Sequence, residues 1–554
     1  MKAKIFLAAA VLTALSASAQ WPSGDGQLPL YDHSTTAPDA SVAGAPDGNT
    51  WLWMPNCKTD EVGELNAVYN CQIYNEAGYP VMGEQPAQVA FYPYQSWWMF
   101  QARNLFVDKD NNAIFSVQDC RVNSLIQSTT VYKISPTGEQ LWGKDGVTVT
   151  GDLDNFILVS FGGIQLEDGS YVFAWANSVN DYVGDFWIGT SRFSADGKVL
   201  NEPAKLDLGK STYQYCWLAN AGNNQYFLVY LEGSGYIMKA MKYDFDGTPV
   251  WGKPVEVYNG GFGSSPPWFK IQIQSVPDGG LLVAYYADPE NTNFEDPYLA
   301  YVKGDGSLGF NVKNGLRIDY QEWTRDIGIK ATYDPKTDSF IAIYNAQSQN
   351  QGYGILKAQR ISKNGDLIWG EEGLIIGEMI EGGYGYINVV PGEPGRVAFI
   401  YEMHTDATAR EINNYAIYYD VETGTPVWNE PTTFGALNTP KGDLQAVNCG
   451  KFWTAVWRGQ MLVDGVYSSS DENIYLQRIN FDGTVGDGGS GIENISADKA
   501  PLNVTVNGSQ VSFENDVNVF DINGRQVASG RQATLAPGMY MGSDGDNVAK
   551  FIIR

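Results

Sequence analysis

One figure in this sequence limits the folds open to it more than any other. At Tyr419 to Trp428 (Y-D-V-E-T-G-T-P-V-W) an alternating strand runs into a Gly-centred turn, a second extended stretch leaves it, and a Trp follows the Gly by four residues. The same figure is centred on Gly78, Gly138, Gly197, Gly247, Gly306, Gly365 and Gly483, at intervals of 60, 59, 50, 59, 59, 59 and 59 residues. A period of this length means repeated supersecondary units that share one continuous core. In the fifth unit, Phe269 to Ser275, Leu281 to Tyr286, Tyr298 to Val302 and the stretch from Leu308 read as four strands, joined by Pro277-Asp278-Gly279, a polar loop from Ala287 to Asp296, and Gly304-Asp305-Gly306. Four antiparallel strands repeated around a ring form the blades of a β-propeller.

The eighth unit lacks a fourth strand, because Gly483 runs into T-V-G-D-G-G-S-G. The missing piece lies at the other end of the chain. Trp21 to Leu30 (W-P-S-G-D-G-Q-L-P-L) resembles Trp142 to Val149 (W-G-K-D-G-V-T-V), so the N-terminal stretch is expected to supply the outer strand of the last blade and leave no open edge there. Trp21 then joins Met82, Trp142, Asn201, Trp251, Phe310, Trp369 and Trp428 at one repeat position. This reading gives an all-β, eight-bladed propeller. Seven blades is the alternative if the weaker first unit, Ser41 to Val89, pairs differently.

Residues 1–19 read as a secretory signal: Lys2 and Lys4, an apolar run from Ile5 to Leu15, then Ala17-Ser18-Ala19. No later apolar run is long enough to span a membrane, so no transmembrane segment is expected. The net charge of −27 becomes −29 once Lys2 and Lys4 are lost, which disfavours nucleic acid and anionic lipid as partners and suits a soluble exported monomer. Five cysteines at wide spacing do not form a disulfide framework. Cys57 and Cys71 flank one loop on neighbouring strands and could pair; free buried thiols are the other reading. The propeller is expected over residues 20–486, a Gly-, Ser- and Asp-rich linker over 487–500, and a small β-sandwich domain over 501–554, with short strands at Leu502–Val506, Val511–Phe513, Val517–Ile522, Gln526–Ala528, Met539–Met541 and Lys550–Arg554.

Two resemblances follow from these motifs. D-x-x-T-G-x-x-x-W at Asp420 to Trp428, with looser copies ending at Trp142 and Trp369, resembles the tryptophan-docking motif of the eight-bladed quinoprotein-like propellers, which implies a Trp packed between neighbouring blades. Quinone-dependent dehydrogenases of that shape carry two adjacent cysteines; this chain has none adjacent, and no cofactor is expected. V-x-V-F-D-I-N-G-R at Val517 to Arg525, L-x-x-G-x-Y at Leu535 to Tyr540 and the terminal K-F-I-I-R resemble the C-terminal sorting domain of the Bacteroidota type IX secretion system. That resemblance implies that residues 501–554 engage the secretion machinery, and that the protein crosses the outer membrane to the cell surface or the medium.

In a propeller the turns between first and second strands share one face with those between third and fourth. The other face carries the loops between second and third strands and the blade crossovers. Here that second face holds the long polar stretches: Asn56–Leu65, Cys120–Thr129, Asn177–Asp185, Ala287–Asp296, Met403–Asn413 and Arg458–Asn473. Binding residues usually sit on such loops. The crossovers repeat a Tyr-Gln-to-Trp theme at Tyr94, Gln95 and Trp97, at Tyr213, Gln214 and Trp217, and at Tyr320, Gln321 and Trp323. Trp268 and the pair Tyr384 and Tyr386 fall at the matching places of the fifth and seventh units. These groups should ring the channel mouth, where they either bind a glycan, peptide or host protein by stacking and hydrogen bonds, or pack the blades.

A catalytic constellation is less apparent. Glu322/Asp326 and Glu295/Asp296 are the acidic pairs a glycan hydrolase or lyase could use, although 63 acidic residues make chance pairs expected. Asp108-Lys-Asp110-Asn-Asn112 has oxygen ligands at a calcium-like spacing but lacks the Gly and the distal Glu, so it reads as a turn and no metal is expected. With only His33 and His404, most histidine-based nucleophilic and zinc schemes fall away. A ligand-binding propeller is therefore the expectation, and a carbohydrate-active enzyme the alternative.

Overall fold

A computed structural model describes residues 21–35, 40–59, 65–94, 104–122, 128–150, 157–178, 186–201, 204–209, 215–233, 237–261, 271–290, 295–319, 324–348, 350, 352–405, 410–487, 502–521, 526–536, 538–544 and 548–553. They form two compact units, Met1–Val485 and Gly486–Arg554.

Among the described residues the first unit holds eight antiparallel sheets; in the first seven the strands follow chain order outward from the axis, and the eighth takes its outer strand from the N-terminal stretch. Blade 1 runs Ser41–Gly44, Thr50–Thr59, Leu65–Tyr74 and Ala87–Tyr92, and blade 2 begins at Asn104–Val107. The inner strands of blades 3 to 6 are Ile157–Gln165, Cys216–Gly222, Gln272–Val276 and Thr324–Asp334. Blade 7 comprises Tyr384–Pro391, Arg396–His404, Ile412–Asp420 and Thr432–Thr439, and blade 8 Lys441–Asn448, Phe452–Val463 and Val466–Asn480. Each inner strand touches the inner strand of the next blade, and Lys441–Asn448 returns to Ser41–Gly44, so the ring closes at eight. Leu28–Pro29 pairs with Leu476 and Tyr475 as the outer strand of blade 8. The second strands are buried on both faces because each sheet is covered on both sides; Gly280–Ala287 is apolar throughout, and Ala113–Asp119 is buried throughout although it carries Ser116, Gln118 and Asp119.

The turn after each third strand closes on itself. Gly138 N–H donates to the Ser135 carbonyl at 2.8 Å with φ at 84°, a conformation that favours glycine. A single bridge follows, Ile134 to Gln140, and the chain then leaves the sheet. The fourth strand therefore starts later than the sequence suggests: Leu308 in blade 5 makes one bridge, and the outer strand proper is Leu316–Arg317. The interruption frees the docking residue to reach the next blade. Trp21, Trp142, Trp251 and Trp428 each donate an indole N–H at 3.0–3.1 Å to the carbonyl two residues before the next turn glycine (Glu76, Ala195, Gly304 and Phe481). Trp369 differs. Its neighbouring turn, D-V-E-T-G, has one residue more, with Gly424 N–H bonded four residues back to Asp420, and Arg360 occupies the Glu422 carbonyl. Among the described residues the Trp369 indole nitrogen has no hydrogen-bond partner. Asn201 turns back and accepts from Arg192 N of its own blade.

Two expectations are corrected here. Arg458–Asn473 is not a loop: strands Phe452–Val463 and Val466–Asn480 extend as one hairpin turning at Asp464-Gly465, with a bulge beside Gln460. Cys57 lies opposite Ala67 and Cys71 opposite Trp53, four residues apart along the ladder, or roughly 13 Å. That is too far for a disulfide. Cys71, Cys120, Cys216 and Cys449 are buried free thiols.

The second unit is one five-stranded sheet around a core of Val511, Phe513, Val517, Val519, Tyr540 and Phe551. Two of the expected short strands merge into a single strand, Gln510–Asp521. Its register shifts between Ser512 and Val517; the first half pairs with Val504–Asn507 and the second with Gly538–Ser543.

Candidate functional site

The aromatic residues expected at the mouth divide sharply. Gln95, Trp97, Tyr213, Gln214, Trp268, Tyr320, Gln321, Glu322 and Trp323 lie outside the described residues, as does the Asp326 side chain. Trp217 is half-buried against the core between blades 4 and 5. Tyr384 is corrected from ligand group to packing group: it is 2% exposed, and its hydroxyl donates to the Glu378 carbonyl of blade 6 at 2.7 Å. Tyr94 and Tyr386 are exposed, 36% and 46%. Asp296 is occupied by Arg317 at 2.9 Å, and burial raises its pKa to about 6. The Asp108 carboxylate is spent on structure: it accepts from Asp110 N and Asn112 N of its own turn and from Tyr171 Oη of blade 3, and pairs with Lys133 at 3.2 Å. Among the described residues no cluster of His, Cys, Asp and Glu could hold a metal.

A group that the sequence reading missed lies where blade 7 meets blade 8. In each blade the turn glycine bonds to the carbonyl of the residue that opens its turn, and the residue before that one (Tyr74, Ile134, Phe193, Tyr243, Val302 and Ile361 in blades 1 to 6, Tyr419 and Ile479 in blades 7 and 8) marks the register. Counting five residues along the second strand from its partner gives Pro55, Gln118, Ala176, Leu231, Tyr286 and Asn345 in blades 1 to 6. None is charged. Blades 7 and 8 have Glu402 and Arg458 at this position. Registering the repeats on their turns would have exposed this break in symmetry.

Glu402 is 1% exposed. The inner strands of blades 7 and 8 both bulge beside it, at residues 385–386 and 443–444. Its carboxylate accepts the backbone N–H groups left there, Tyr386 N and Leu444 N, each at 3.2 Å. Burial outweighs these bonds and raises its pKa to about 7. A Cβ on Gly385 would stand 2.5 Å from the Glu402 carboxylate and 3.3 Å from His404 Nε2, so only glycine fits. The His404 Nδ1 lies 2.7 Å from the Gly382 carbonyl; a carbonyl only accepts, so Nδ1 carries the proton.

Asp443 sits in the bulge of blade 8 with φ at 60°, a conformation uncommon for a non-glycine residue. Bulges re-aim side chains, and here the carboxylate meets Arg458 at 3.2 Å. It also takes the hydroxyl of Tyr386, whose pKa burial and this carboxylate push up. Arg458 faces Glu472 at 3.8 Å on the other side. Above this chain opens a cleft of about 660 Å³. Its walls are Arg410 and Glu411 at the end of a blade 7 loop, Asn438, Pro440 and Lys441 where the last strand of blade 7 passes into the first of blade 8, and the blade 8 hairpin with Arg458, Gln460, Tyr467, Ser469 and Glu472. Its size suits a small ligand, and its lining offers donors and acceptors around one aromatic ring.

No family model and no curated protein sequence matches the chain. Among solved structures it is similar to the Dos1 propeller, at 11% identity over 81% of this chain and 95% of that one, with a TM-score of 0.43. It is also similar to the polysaccharide lyase Uly1, at 12% identity over 84% and 98%, with a TM-score of 0.38. A puromycin-hydrolysing peptidase of Mycobacterium tuberculosis matches at 10% identity over 80% of this chain, with a TM-score of 0.41; the chain spans 61% of that peptidase's length. The fold itself rests on the sheet order and the closed ring of inner strands.

Proposed function

We propose that this chain is an exported, cell-surface or secreted binding propeller. Its ligand, a glycan before a peptide or host protein, sits in the cleft between blades 7 and 8. The observation that carries this reading is the break in the repeat: at one position of an eight-fold ring, charge occurs only in the two adjacent blades that flank the cleft. Titration calorimetry with a panel of oligosaccharides tests it. Shortening the blade 8 hairpin should abolish any binding seen; binding that survives would move the site elsewhere.

A carbohydrate-active hydrolase or lyase is the second reading, favoured by the run Tyr386–Asp443–Arg458 below the cleft. Two facts weigh against it. The pKa of Tyr386 is shifted up, away from what a base needs near neutral pH. Glu402, the carboxyl held near neutrality, is sealed beneath the bulges. Release of reducing or unsaturated ends from the panel, lost in Tyr386→Phe, would establish the enzyme. Export belongs to the same proposal: residues 1–19 as signal and 501–554 as the sorting domain for type IX secretion.

A further inference from the structure

We infer that the cleft between blades 7 and 8 takes an acidic oligosaccharide, one bearing carboxylates of the uronic-acid kind, with Lys441, Arg410 and Arg458 facing its charge. This rests on the reading of the molecule as a binding propeller and narrows its ligand.

The first argument is charge. The chain carries −27 overall, yet the cleft walls bring together Arg410, Lys441 and Arg458, with Glu411, Glu472 and, behind Arg458, Asp443 as the carboxylates. An acidic surface repels anions at long range, so a wall where three cations gather is where an anionic ligand can be held. The second is the state of Lys441. Its ammonium donates to the Ala436 carbonyl and, among the described residues, meets no carboxylate at ion-pair distance. Glu402 and Asp25 favour its charge from further away, but burial dominates and lowers its pKa to about 8. A partly buried cation without a paired anion costs free energy, and a ligand carboxylate would remove that cost. Arg458, by contrast, is already engaged by Asp443 and Glu472, and so is fixed in direction. The third is the lining. Asn438, Gln460 and Ser469 suit hydroxyl groups, and Tyr467 offers a ring face for a sugar. Among the described lining residues only Pro440 and Val466 have purely aliphatic side chains.

The test is titration of the full-length mature protein at pH 8 with three probes: tri-galacturonate, the same trisaccharide with its carboxyls methyl-esterified, and hexaglutamate. Tri-galacturonate is expected to bind at least tenfold more tightly than its ester. Repeating the titration in buffers of different ionisation enthalpy should show proton uptake, because a nearby carboxylate raises the affinity of Lys441 for its proton. Lys441→Met should lose both the tenfold preference and the uptake. Arg410→Gln, on an exposed loop residue, should weaken the acid and leave the ester unchanged. It keeps the test open if Lys441→Met does not fold. Equal binding of acid and ester would overturn the acidic preference and leave the binding propeller standing. Tighter binding of hexaglutamate would overturn the saccharide. Saccharide binding that ignores both variants would place the site outside this cleft and overturn the broader reading as well.

Discussion

At the scale of single residues, Trp21 and Glu402 have opposite parts. Trp21 is 2% exposed and hydrogen-bonded across the seam of the ring. Trp21→Ala should cost roughly 3 kcal/mol, as for other buried aromatic truncations. Chemical denaturation should show a lower midpoint at unchanged slope; an unchanged midpoint would mean that the seam is held by other groups. Glu402 weakens the fold as pH rises. Its pKa climbs from 4.5 to about 7, so the folded state holds the proton more tightly than the unfolded chain does. Stability from this group is greatest below about pH 4.5 and falls by up to about 3 kcal/mol as the pH passes through 7. Glu402→Gln keeps the shape and cannot ionise, so its melting temperature should fall less than the wild type's between pH 5 and 7.5. Asp296, raised to about 6, acts in the same direction in both proteins and cancels in the comparison. Parallel curves would assign the titration to other groups. Trp21 could be read from the sequence because the stretch it opens, W-P-S-G-D-G-Q-L-P-L, resembles the one after Trp142. Glu402, Lys441, Asp443 and Arg458 could not be found by looking for close acidic pairs such as Glu322/Asp326, since they converge only when two blades are laid side by side.

Among the elements, the short strand Leu28–Pro29 and the long hairpin of blade 8 invite different tests. The first carries Leu28, Leu30 and Tyr31 into the core shared with blade 1, and Gln477 holds it by bonds to the Pro22 and Gly26 carbonyls. Deleting Trp21 to Asp32 bares the edge of Val466–Asn480 together with that apolar surface. The truncated protein should melt earlier and associate in a concentration-dependent way, measured by calorimetry and light scattering. A monomer that melts like the parent would refute the closure. The hairpin tip exposes Leu462, Val463, Val466 and Tyr467 and makes little of the blade core. Replacing residues 461–469 by a two-residue turn should shift the melting temperature by only a few degrees and remove the cleft wall, so ligand binding is lost while the fold stays. A collapse in stability would show that the hairpin is structural. Its strands escaped the sequence reading because S-S-S-D-E at Ser468 to Glu472 looks like loop, and only pairing with Gly459 to Met461 makes it extended. The merging of Gln510–Asp521 into one strand has the same origin: Glu514, Asn515 and Asp516 interrupt the apolar alternation, but the backbone continues through them.

For the whole molecule, the break between Met1–Val485 and Gly486–Arg554 implies that the propeller does not need the last unit in order to fold. Removing residues 501–554 should leave the main thermal transition within about 2 °C of its place and, on the export reading, strand the propeller in the periplasm of a host with the secretion machinery. Fractionation with intact-mass spectrometry decides the second half; full export of the truncated chain would refute the sorting role. The ring itself has one more property. Val485 closes a bridge with Ile479, and the next repeat position, four residues after Gly483, is filled in space by Trp21. The two described ends of the propeller thus stand where one continuous repeat would run, and the seam at Trp21 is one of eight equivalent places to cut the circle. A circular permutant that joins residue 486 to Trp21 and opens at the tight turn of Asp278 should rebuild the same eight blades.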